Sequence, residues 1–399
     1  MKKLMILGGS RYILPVIKAA HNVGAYVITA DYLPNNPAHK FSDQYVNISI
    51  IERDKVLKIA QELEIDGIMS FACDPGVVTA AYVAEKMGLP SVGSYASVSI
   101  LQNKGMFREF LKKHGFNTPE YKSFRSKKTA FKSIGLFNWP VIVKPTDSAG
   151  SKGVSKVDDI SKLSKAIDLA LDYSHSNEFI IEEFLEQKGF ASDCDSFVVN
   201  GKVVCYGFNS QRFDKEAENP FTPAAYSWPS TISKQNINHL KKEIQRLITL
   251  LNMKTSVFNI EVRECIDGKP YIMELTPRGG GNRLSEMMKI VTGIDMIDNA
   301  VRFALGEELI PYTKNKSHFF LAEIVLHSKK PGVFRSLVID ESLKNNIMEI
   351  DLWVDNNTRI GGFKGANEAI GTLVLRFEEK DKMEEIMDNQ SKYVRVIVD

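Results

Sequence analysis

Cysteine and histidine are scarce in this chain. The 399 residues include four cysteines and seven histidines. Cys73, Cys194, Cys205 and Cys265 are scattered, with no CxxC pair and no cluster of cysteine with histidine. This spacing excludes a disulfide framework and the usual zinc sites, and it fits a reducing cytosol.

Long apolar runs and an excess of one charge are also lacking. No apolar run approaches the ~20 residues of a membrane span. The first residues, MKKLMILGGS, place only four apolar residues before Gly8, which is too few for a signal peptide. The formal net charge of +2 gives no electrostatic reason to expect a nucleic acid or an anionic membrane as partner. We therefore expect a soluble, cytoplasmic protein.

The composition is that of a globular protein, with 44% hydrophobic and 25% charged residues. Residues 1–95 alternate strand and helix signals, which predicts a parallel sheet of Rossmann type. Ligands of such sheets lie beyond the carboxyl ends of the strands, which is where the sequence places Gly8, Gly9, Asp31 and Asp74. The GxGxxG motif fails after Gly8-Gly9, so we favour a loop that shapes a substrate pocket over a nicotinamide cofactor. The predicted strands of this region are 4–7, 26–30, 67–71 and a short one at 91–92.

A lysine and a loop rich in glycine and serine suggest phosphate binding. An apolar strand ends at Lys144, and a predicted single helix from Ser97 to Gly115 carries Lys104. Glycines let backbone N–H groups turn towards an anion, hydroxyls add donors and a lysine adds charge. The alternative is an ordinary turn with a solvated lysine, and the loop is not a Walker P-loop. The loop residues concerned are Ser148, Gly150, Ser151, Lys152 and Gly153.

The next segments have several possible readings. The strand from Phe179 runs into Glu182, Glu183, Phe184 and Leu185, which could offer backbone groups to a purine or form a solvent-facing edge. Asn200-Gly201 predicts a hairpin, and residues 211–231 are predicted as a long loop. A helix over 233–251 follows, and the chain from about residue 318 predicts a small α+β domain.

A second hairpin is predicted around Asp267-Gly268. A tight two-residue turn there places Glu261 opposite Glu274, and Asn259 opposite Thr276, on one face. Ile260, Val262, Tyr271, Met273 and Leu275 then form the core face. Opposed carboxylates repel unless a hard cation such as Mg²⁺ lies between them. The alternative is a solvated acidic face balanced by Arg263.

These segments, in this order, resemble the ATP-grasp superfamily over roughly residues 1–398. The resemblance implies an α/β and α+β protein with a Rossmann-like pre-ATP-grasp domain (1–95), an ATP-grasp domain of two subdomains with ATP between them (96–308) and a C-terminal α+β domain (309–399). The last domain is similar to that of amino-acid ligases and carbamoyl-phosphate-synthase-like members.

The resemblance also implies roles for individual residues. Lys104 and Lys144 match the lysines that hold ATP phosphates, and residues 148–153 match the phosphate lid. Residues 182–185 match the segment that binds adenine. The carboxylate of Glu182 would bind the adenine amino group, and the backbone of Glu183 and Leu185, on either side of Phe184, would bind the edge of the ring. Glu261 and Glu274, with Thr276 in the place of the usual Asn, match the Mg²⁺ ligands. Arg278 matches the arginine that steadies the transferred phosphoryl group and the acyl phosphate, and Lys152 is predicted with it as catalytic. By its position just past the glycines, Arg283 is predicted to hold a substrate carboxylate, with a surface arginine at a helix start as the alternative. Asn282 is predicted beside it as a substrate residue.

The implied reaction joins a small carboxylate to an amine or ammonia through an acyl phosphate, with ATP and Mg²⁺, or Mn²⁺ in its place. The resemblance is also compatible with a homodimer. Two departures from the family favour an alternative, a non-catalytic ATP-binding protein: Thr276 replaces Asn, and no acid for the ribose stands near Gly189. Glu186 or Asp193 could substitute for that acid, and Asn259 or Asn282 could supply the amide.

Overall fold

The computed structural model describes residues 1–148, 150–311 and 318–399. Its N-terminal part is a four-stranded parallel sheet with the order β3-β2-β1-β4, which confirms the Rossmann-like prediction. The predicted strand at 91–92 is wrong, and β3 was missed because it is a short, partly exposed edge strand. The elements are β1 (Lys3–Leu7), α1 (Leu14–Asn22), β2 (Tyr26–Asp31), β3 (Gln44–Asn47), α2 (Arg53–Glu62), β4 (Gly67–Ser70) and α3 (Asp74–Met87).

The predicted single helix at 97–115 is two helices, α4 (Tyr95–Gln102) and α5 (Lys104–Lys113). The break lies at Asn103, whose φ of −106° and ψ of 114° are extended and whose side chain caps α5 by accepting from Met106 N. The apolar pattern continues through Asn103 and so predicted one helix. The helix breaks there instead, because the Asn103 side chain satisfies an otherwise free N–H at the start of α5. Lys104 therefore begins a helix, and its own N–H donates to Thr146 O at 2.9 Å.

Two further sheets follow. The first has the order β5-β8-β6-β7 and the second β10-β9-β13-β14. Asn200 (φ 49°) and Gly201 (φ 76°) join β9 to β10 as the predicted two-residue hairpin. The elements are β5 (Tyr121–Phe124), α6 (Lys127–Ser133), β6 (Val141–Pro145), β7 (Ser155–Val157), α7 (Ile160–Asp172), β8 (Phe179–Glu183), β9 (Ser192–Val199), β10 (Lys202–Cys205), α8 (Lys234–Leu250), β13 (Ser256–Glu264) and β14 (Pro270–Thr276).

Residues 211–231, predicted as a loop, contribute β11 (Ser210–Phe213) and β12 (Pro223–Trp228). They pair with each other, and β12 also pairs with the C-terminal strand β15, in a five-stranded antiparallel sheet with the order β11-β12-β15-β19-β17. Non-local pairing of this kind leaves no local sequence signal. The other elements are α9 (Leu284–Thr292), α10 (Met296–Ala304), β15 (Phe320–Leu326), β16 (Gly332–Ile339), β17 (Ile347–Leu352), β18 (Arg359–Ile360), β19 (Gly371–Phe377), α11 (Lys380–Asp388), α12 (Gln390–Tyr393) and β20 (Val394–Val398).

Helix α8 buries the face predicted from its 3.6-residue period. Leu240, Ile244, Leu247 and Ile248 are buried against β13 and β14 in one apolar cluster. This packing places α8 against the apolar face of the β13–β14 hairpin. Within the described ranges, no helix is long and apolar enough to cross a membrane. Short 3-10 helices lie at Arg11–Ile13, Pro37–Phe41, Ile134–Leu136, Glu341–Asn346 and Ala366–Glu368.

Candidate active site

The β13–β14 hairpin has the predicted register at its functional end and a different one near its turn. Glu261 pairs with Glu274 as predicted, but Val262 pairs with Ile272. The turn is one residue longer than predicted, with Cys265 N donating to Lys269 O at 3.0 Å and Gly268 at φ +80°. A bulge at Met273 compensates for the extra residue. The two changes cancel, so the carboxylates still face each other.

The core face of the hairpin differs from the prediction for the same reason. Ile272 is 5% exposed and joins the apolar cluster, whereas Met273 is only partly buried and Tyr271 shares the opposite face with Arg263. Ile260, Val262 and Leu275 are core residues as predicted.

Strand β9 extends the hairpin row on its other side. Asp193 pairs with Glu261, and Asp195 pairs with Asn259. Two rows therefore cross three strands: Asp193–Glu261–Glu274 and Asp195–Asn259–Thr276. Sequence reasoning assigned no role to Asp195 and considered Asp193 only for a ribose, although two acids spaced by two residues on a strand share a face.

Both aspartates are hydrogen-bonded, and Asp195 is fully buried whereas Asp193 is partly buried. Asn259 Nδ2 donates to Asp193 Oδ1 at 2.9 Å and to Asp195 Oδ1 at 3.2 Å, and Gln211 Nε2 donates to Asp193 at 3.3 Å. Asp195 also accepts from Gly280 N at 2.9 Å. Burial, followed by the charge of Glu261, raises the pKa of Asp193 to about 8. Near neutral pH Asp193 therefore largely keeps its proton and adds little negative charge to the row.

Glu182 lies in a buried cluster with two cations. Lys144 Nζ is 2.7 Å from one carboxylate oxygen. Arg108 Nε is 2.9 Å from the other, close enough for an ion pair although the N–H is not directed at that oxygen. Burial opposes ionisation of Glu182, but Arg108 and Lys144 outweigh it and hold its pKa at about 2. Arg108 was missed because its sequence context is that of a surface helix residue.

Lys104 connects the start of α5 to both the glycine/serine loop and the hairpin. Its Nζ donates to Ser148 O at 2.7 Å and lies 4.0 Å from Glu274 Oε1. All three residues line a cavity of about 580 Å³, together with Asp74 and Gln102. The structure therefore brings three of the predicted site residues to one cavity.

The glycine/serine loop has the backbone conformation that its glycines predict. Gly150, Ser151 and Gly153 have positive φ angles of 67°, 57° and 71°. Lys152 is exposed, whereas Ser151 Oγ donates to Phe221 O at 3.4 Å. Ala149, which the predicted lid includes, lies outside the described residues. The loop lies at the end of β6 and can present N–H groups and Lys152 to an anion.

The segment predicted to bind adenine leaves β8 with part of its backbone engaged. Glu183 N donates to Glu120 O, and Phe184 N donates to Pro140 O. Among the described residues, the Leu185 N–H has no backbone acceptor. Lys156 Nζ lies 4.2 Å from the centroid of the Phe184 ring. Leu185 can thus donate to a ring nitrogen, while the Glu182 carboxylate is occupied by its cations.

Arg278 is tied to the N-terminal sheet. Its Nε and Nη2 both donate to Asp74 Oδ1, at 2.8 and 2.5 Å, at the start of α3. Ala72 N donates to Gly279 O at 3.0 Å beside this pair. Sequence reasoning had placed Asp74 only at the end of a strand, without a partner.

Gly279 allows the close approach of these two segments. A Cβ there would lie 2.0 Å from Phe71 Cζ. We expect Gly279→Ala to lower the free energy of unfolding by about 1–3 kcal/mol, because the buried ring must move. Gly135→Ala is the matched control, since a Cβ there meets nothing within 4 Å. Urea unfolding of both variants measures the difference, and equal stabilities would contradict the steric argument.

Asn282 and Arg283 follow the glycines in left-handed backbone, with φ of 49° and 57°. Asn282 Nδ2 donates to Tyr226 Oη at 3.0 Å, and Tyr12 Oη donates to Asn282 Oδ1 at 3.0 Å. Arg283 donates to Glu286 at 3.2 Å and to Glu349 at 2.6 Å. The two predicted substrate residues therefore lie against the five-stranded sheet, and Arg283 is already paired with carboxylates.

The predicted metal ligands are neighbours on the sheet, but their side chains do not form a compact group of ligands. In the described part of the chain, no three His, Cys, Asp or Glu side chains form a group that could hold a metal ion. Glu261 is paired with Arg263 at 2.8 Å, and the Thr276 hydroxyl accepts from Gln102 Nε2 at 3.2 Å. Glu274 is 43% exposed at its side chain. The donors match a hard cation in chemistry, since carboxylate and hydroxyl oxygens suit Mg²⁺.

Comparison with known proteins identifies the fold. Residues 137–286 match the model of the ATP-grasp domain family. The chain is 25% identical over 286 residues to a formate-dependent phosphoribosylglycinamide formyltransferase of Flavobacterium psychrophilum, covering 69% of this chain and 70% of that protein. It is 23% identical to the C-terminal section of the carbamoyl phosphate synthase large chain of Aquifex aeolicus, covering 59% of this chain and 44% of that protein.

Solved structures with this fold cover the whole chain. The L-amino acid ligase from Bacillus licheniformis superposes with a TM-score of 0.78 at 19% identity, over 100% of this chain and 99% of that one. A phosphoribosylglycinamide synthetase from Anaerococcus prevotii gives 0.77 at 23% identity, over 100% of both chains. The biotin carboxylase domain of a Hydrogenobacter thermophilus 2-oxoglutarate carboxylase, solved with MgADP, gives 0.74 at 14% identity, over 100% of this chain and 91% of that one.

The chain therefore has the ATP-grasp fold, and its residues 137–286 match the ATP-grasp domain family. The Rossmann-like sheet precedes this segment. The predicted boundaries at 95/96 and 308/309 stay predictions.

Proposed function

We propose that this protein is an ATP- and Mg²⁺-dependent ligase that joins a small carboxylate to an amine or ammonia through an acyl phosphate. The observation that carries the proposal is the meeting of Lys104, Ser148 and Glu274 at one cavity. A cation, a loop able to present N–H groups and a carboxylate suited to Mg²⁺ are what a triphosphate requires.

ATP would lie between the two middle sheets. Lys104 and Lys144 supply positive charge to the phosphates, and the loop that includes Ser148, Gly150, Ser151, Lys152 and Gly153 covers them. The free N–H of Leu185 supports adenine binding at the end of β8. Glu182 orients Lys144 through their 2.7 Å contact, in addition to its proposed contact with the adenine amino group.

Glu261 and Glu274 would hold Mg²⁺, with Thr276 as a weaker third donor. Bound there, Mg²⁺ would neutralise charge on the ATP phosphates. The MgADP bound in one related fold supports this use of the site. The opposed Glu261 and Glu274 carboxylates, with Asp193 beside Glu261 on the next strand, fit a cation better than a solvated surface does.

The remaining residues would act on the substrates. The substrate carboxylate takes the terminal phosphoryl group of ATP, which releases ADP, and the amine then displaces phosphate to form the amide. Arg278 stabilises the phosphoryl group and the acyl phosphate, oriented by Asp74. Lys152 on the lid adds charge there, and lid closure excludes water that would hydrolyse the intermediate. Asn282 and Arg283 contact the substrates.

Mg²⁺-dependent ADP release is the direct test. We expect release from the purified chain only when ATP, Mg²⁺, a suitable carboxylate and an amine are all present, because the acyl phosphate forms and is consumed in sequence. A panel of amino acids and small carboxylates, each with and without ammonia, serves as substrate set. Hydroxamate formation in hydroxylamine detects the acyl phosphate. A chain that does not bind ATP would contradict the proposal.

A second candidate is a nucleotide-binding protein without turnover. The hydrogen bond of Thr276 to Gln102 favours it, since this bond engages the hydroxyl at the position of the usual third ligand. ATP binding with no ADP release on any panel member would support this candidate instead.

A further inference from the structure

One row of the five-stranded sheet passes beneath the predicted substrate residues. It consists of Gln211, Tyr226, Glu323, Val374 and Glu349, each paired with the next across neighbouring strands. Cross-strand partners share a face. Tyr226 accepts a hydrogen bond from Asn282, and Glu349 accepts one from Arg283. Glu323, in the middle of this row, therefore faces the segment that follows the hairpin.

Glu323 is a buried carboxylate without a hydrogen-bond partner. Its residue is 0% exposed, and neither carboxylate oxygen accepts a hydrogen bond from the described residues. Buried carboxylates are normally paired, because an unpaired one loses its hydration without compensation. Burial raises the pKa of Glu323 well above its usual range, which Arg283 partly offsets and Glu286 and Glu349 increase.

The guanidinium of Arg283 does not neutralise Glu323. The Arg283 guanidinium already donates to Glu286 at 3.2 Å and to Glu349 at 2.6 Å. Asp351, two residues after Glu349 on the same strand, adds a further carboxylate that accepts from Trp353 Nε1 at 2.7 Å. The cluster thus holds more carboxylates than cations.

We propose that Glu323 binds the ammonium group of the amine substrate. An ammonium has three N–H donors and one positive charge, so it can donate to both Glu323 oxygens and stabilise the ionised carboxylate, which burial otherwise disfavours. This inference rests on the proposed ligase function and deepens it: the amine arrives protonated and is recognised beside Arg283, on the face of the sheet that Tyr226 and Asn282 border.

The site favours an organic ammonium over a metal ion. Among the described residues, Glu323 belongs to no group of three or more His, Cys, Asp or Glu side chains that could hold a metal ion. Val374 and the Tyr226 ring flank Glu323 in the row, and such apolar surface suits the carbon chain of an amine.

Thermal denaturation of the full chain tests the proposal. The probes are matched pairs: L-alanine and L-lactate, L-lysine and L-norleucine, 1,4-diaminobutane and 1,4-butanediol, and ammonium and potassium chloride. We expect at least one amine to raise the midpoint and its partner to have less effect. Glu323→Gln should raise the Kd for that amine at least about tenfold, the loss of one charge-assisted contact.

Two further variants keep the result interpretable. Glu323→Asp retains the charge and should bind the amine more tightly than Glu323→Gln does. Glu385→Gln removes an exposed carboxylate on α11 and should bind as the wild type does. No stabilisation by any amine, equal stabilisation by potassium, or an unchanged Kd in Glu323→Gln would overturn the proposal.

A separate titration with Mg²⁺ and ATP distinguishes this inference from the ligase function. A nucleotide effect without an amine effect contradicts the Glu323 site alone. An amine effect that depends on Glu323, without nucleotide binding, contradicts the ligase alone.

Discussion

Replacing Glu274 by glutamine will lower Mg²⁺-dependent ADP release at least about 100-fold. Loss of a residue that merely orients a metal ligand costs 10- to 100-fold, so a direct ligand should cost no less. The glutamine keeps the shape of the side chain but removes the charge that faces Lys104 at 4.0 Å. Steady-state rates over a range of Mg²⁺ concentrations measure the effect, and excess Mg²⁺ should restore part of the rate if affinity is what was lost.

The fold should survive this change, because the Glu274 side chain is 43% exposed and makes no buried pair. Equal thermal midpoints for the variant and the wild type would establish that. Glu308→Gln is the matched control, since Glu308 is exposed and follows α10, outside the hairpin row. Full activity in Glu274→Gln would refute the metal assignment.

Arg108→Met will produce the largest loss of stability. The side chain of Arg108 is 1% exposed, pairs with the buried Glu182 and donates from Nη1 to Met273 O at 2.9 Å. Methionine has a similar length but leaves Glu182 with Lys144 as its one cation. Removing one partner of a buried ion pair costs about 3–5 kcal/mol, which is a large part of the 5–15 kcal/mol typical of a folded domain.

Urea unfolding measures this loss, with Lys113→Met as control. Lys113 is exposed on the same helix α5, and its replacement should change the free energy of unfolding by no more than about 0.5 kcal/mol. A change below about 1 kcal/mol in Arg108→Met would contradict the buried cluster. The pKa of Glu182 should rise in the variant from its wild-type value of about 2, because one of the two cations that favour its ionised form is gone. The stability deficit of the variant should therefore be largest at neutral pH and should shrink as the pH falls below the ordinary Glu pKa of about 4.3, where the wild type loses this stabilisation.

Local sequence patterns correctly predicted the hairpins, which depend on neighbouring residues. Period-two alternation and Asp267-Gly268 identified the hairpin, and the Asn200-Gly201 turn was correct to the residue. The opposition of Glu261 and Glu274 was right although the turn length was wrong, because the bulge at Met273 restored the register. Register is fixed by which face is buried, and the core selected the one that buries Val262 and Ile272.

Features that depend on distant contacts could not be read from the sequence. Arg108 lies in a helix whose charged residues look solvated, and only the fold brings Glu182 to it. Strand β12 pairs with β15, about 100 residues later in the chain, and β11 joins the sheet only through β12, so the nearby sequence did not distinguish this segment from a loop. Glu323 interrupts the apolar strand β15, and its lack of a hydrogen-bond partner becomes visible only in the folded sheet.

The strands of the five-stranded sheet come from two separate segments of the chain, which limits where the chain can be cut into fragments. A fragment that stops near residue 308 keeps β11 and β12 but loses β15, β17 and β19, the other three strands of the sheet. The open edge of β12 would then present unpaired N–H and C=O groups, which recruit other chains. The ATP-grasp segment and the C-terminal segment are for this reason one unit of expression and folding, whatever their separate contributions to the site.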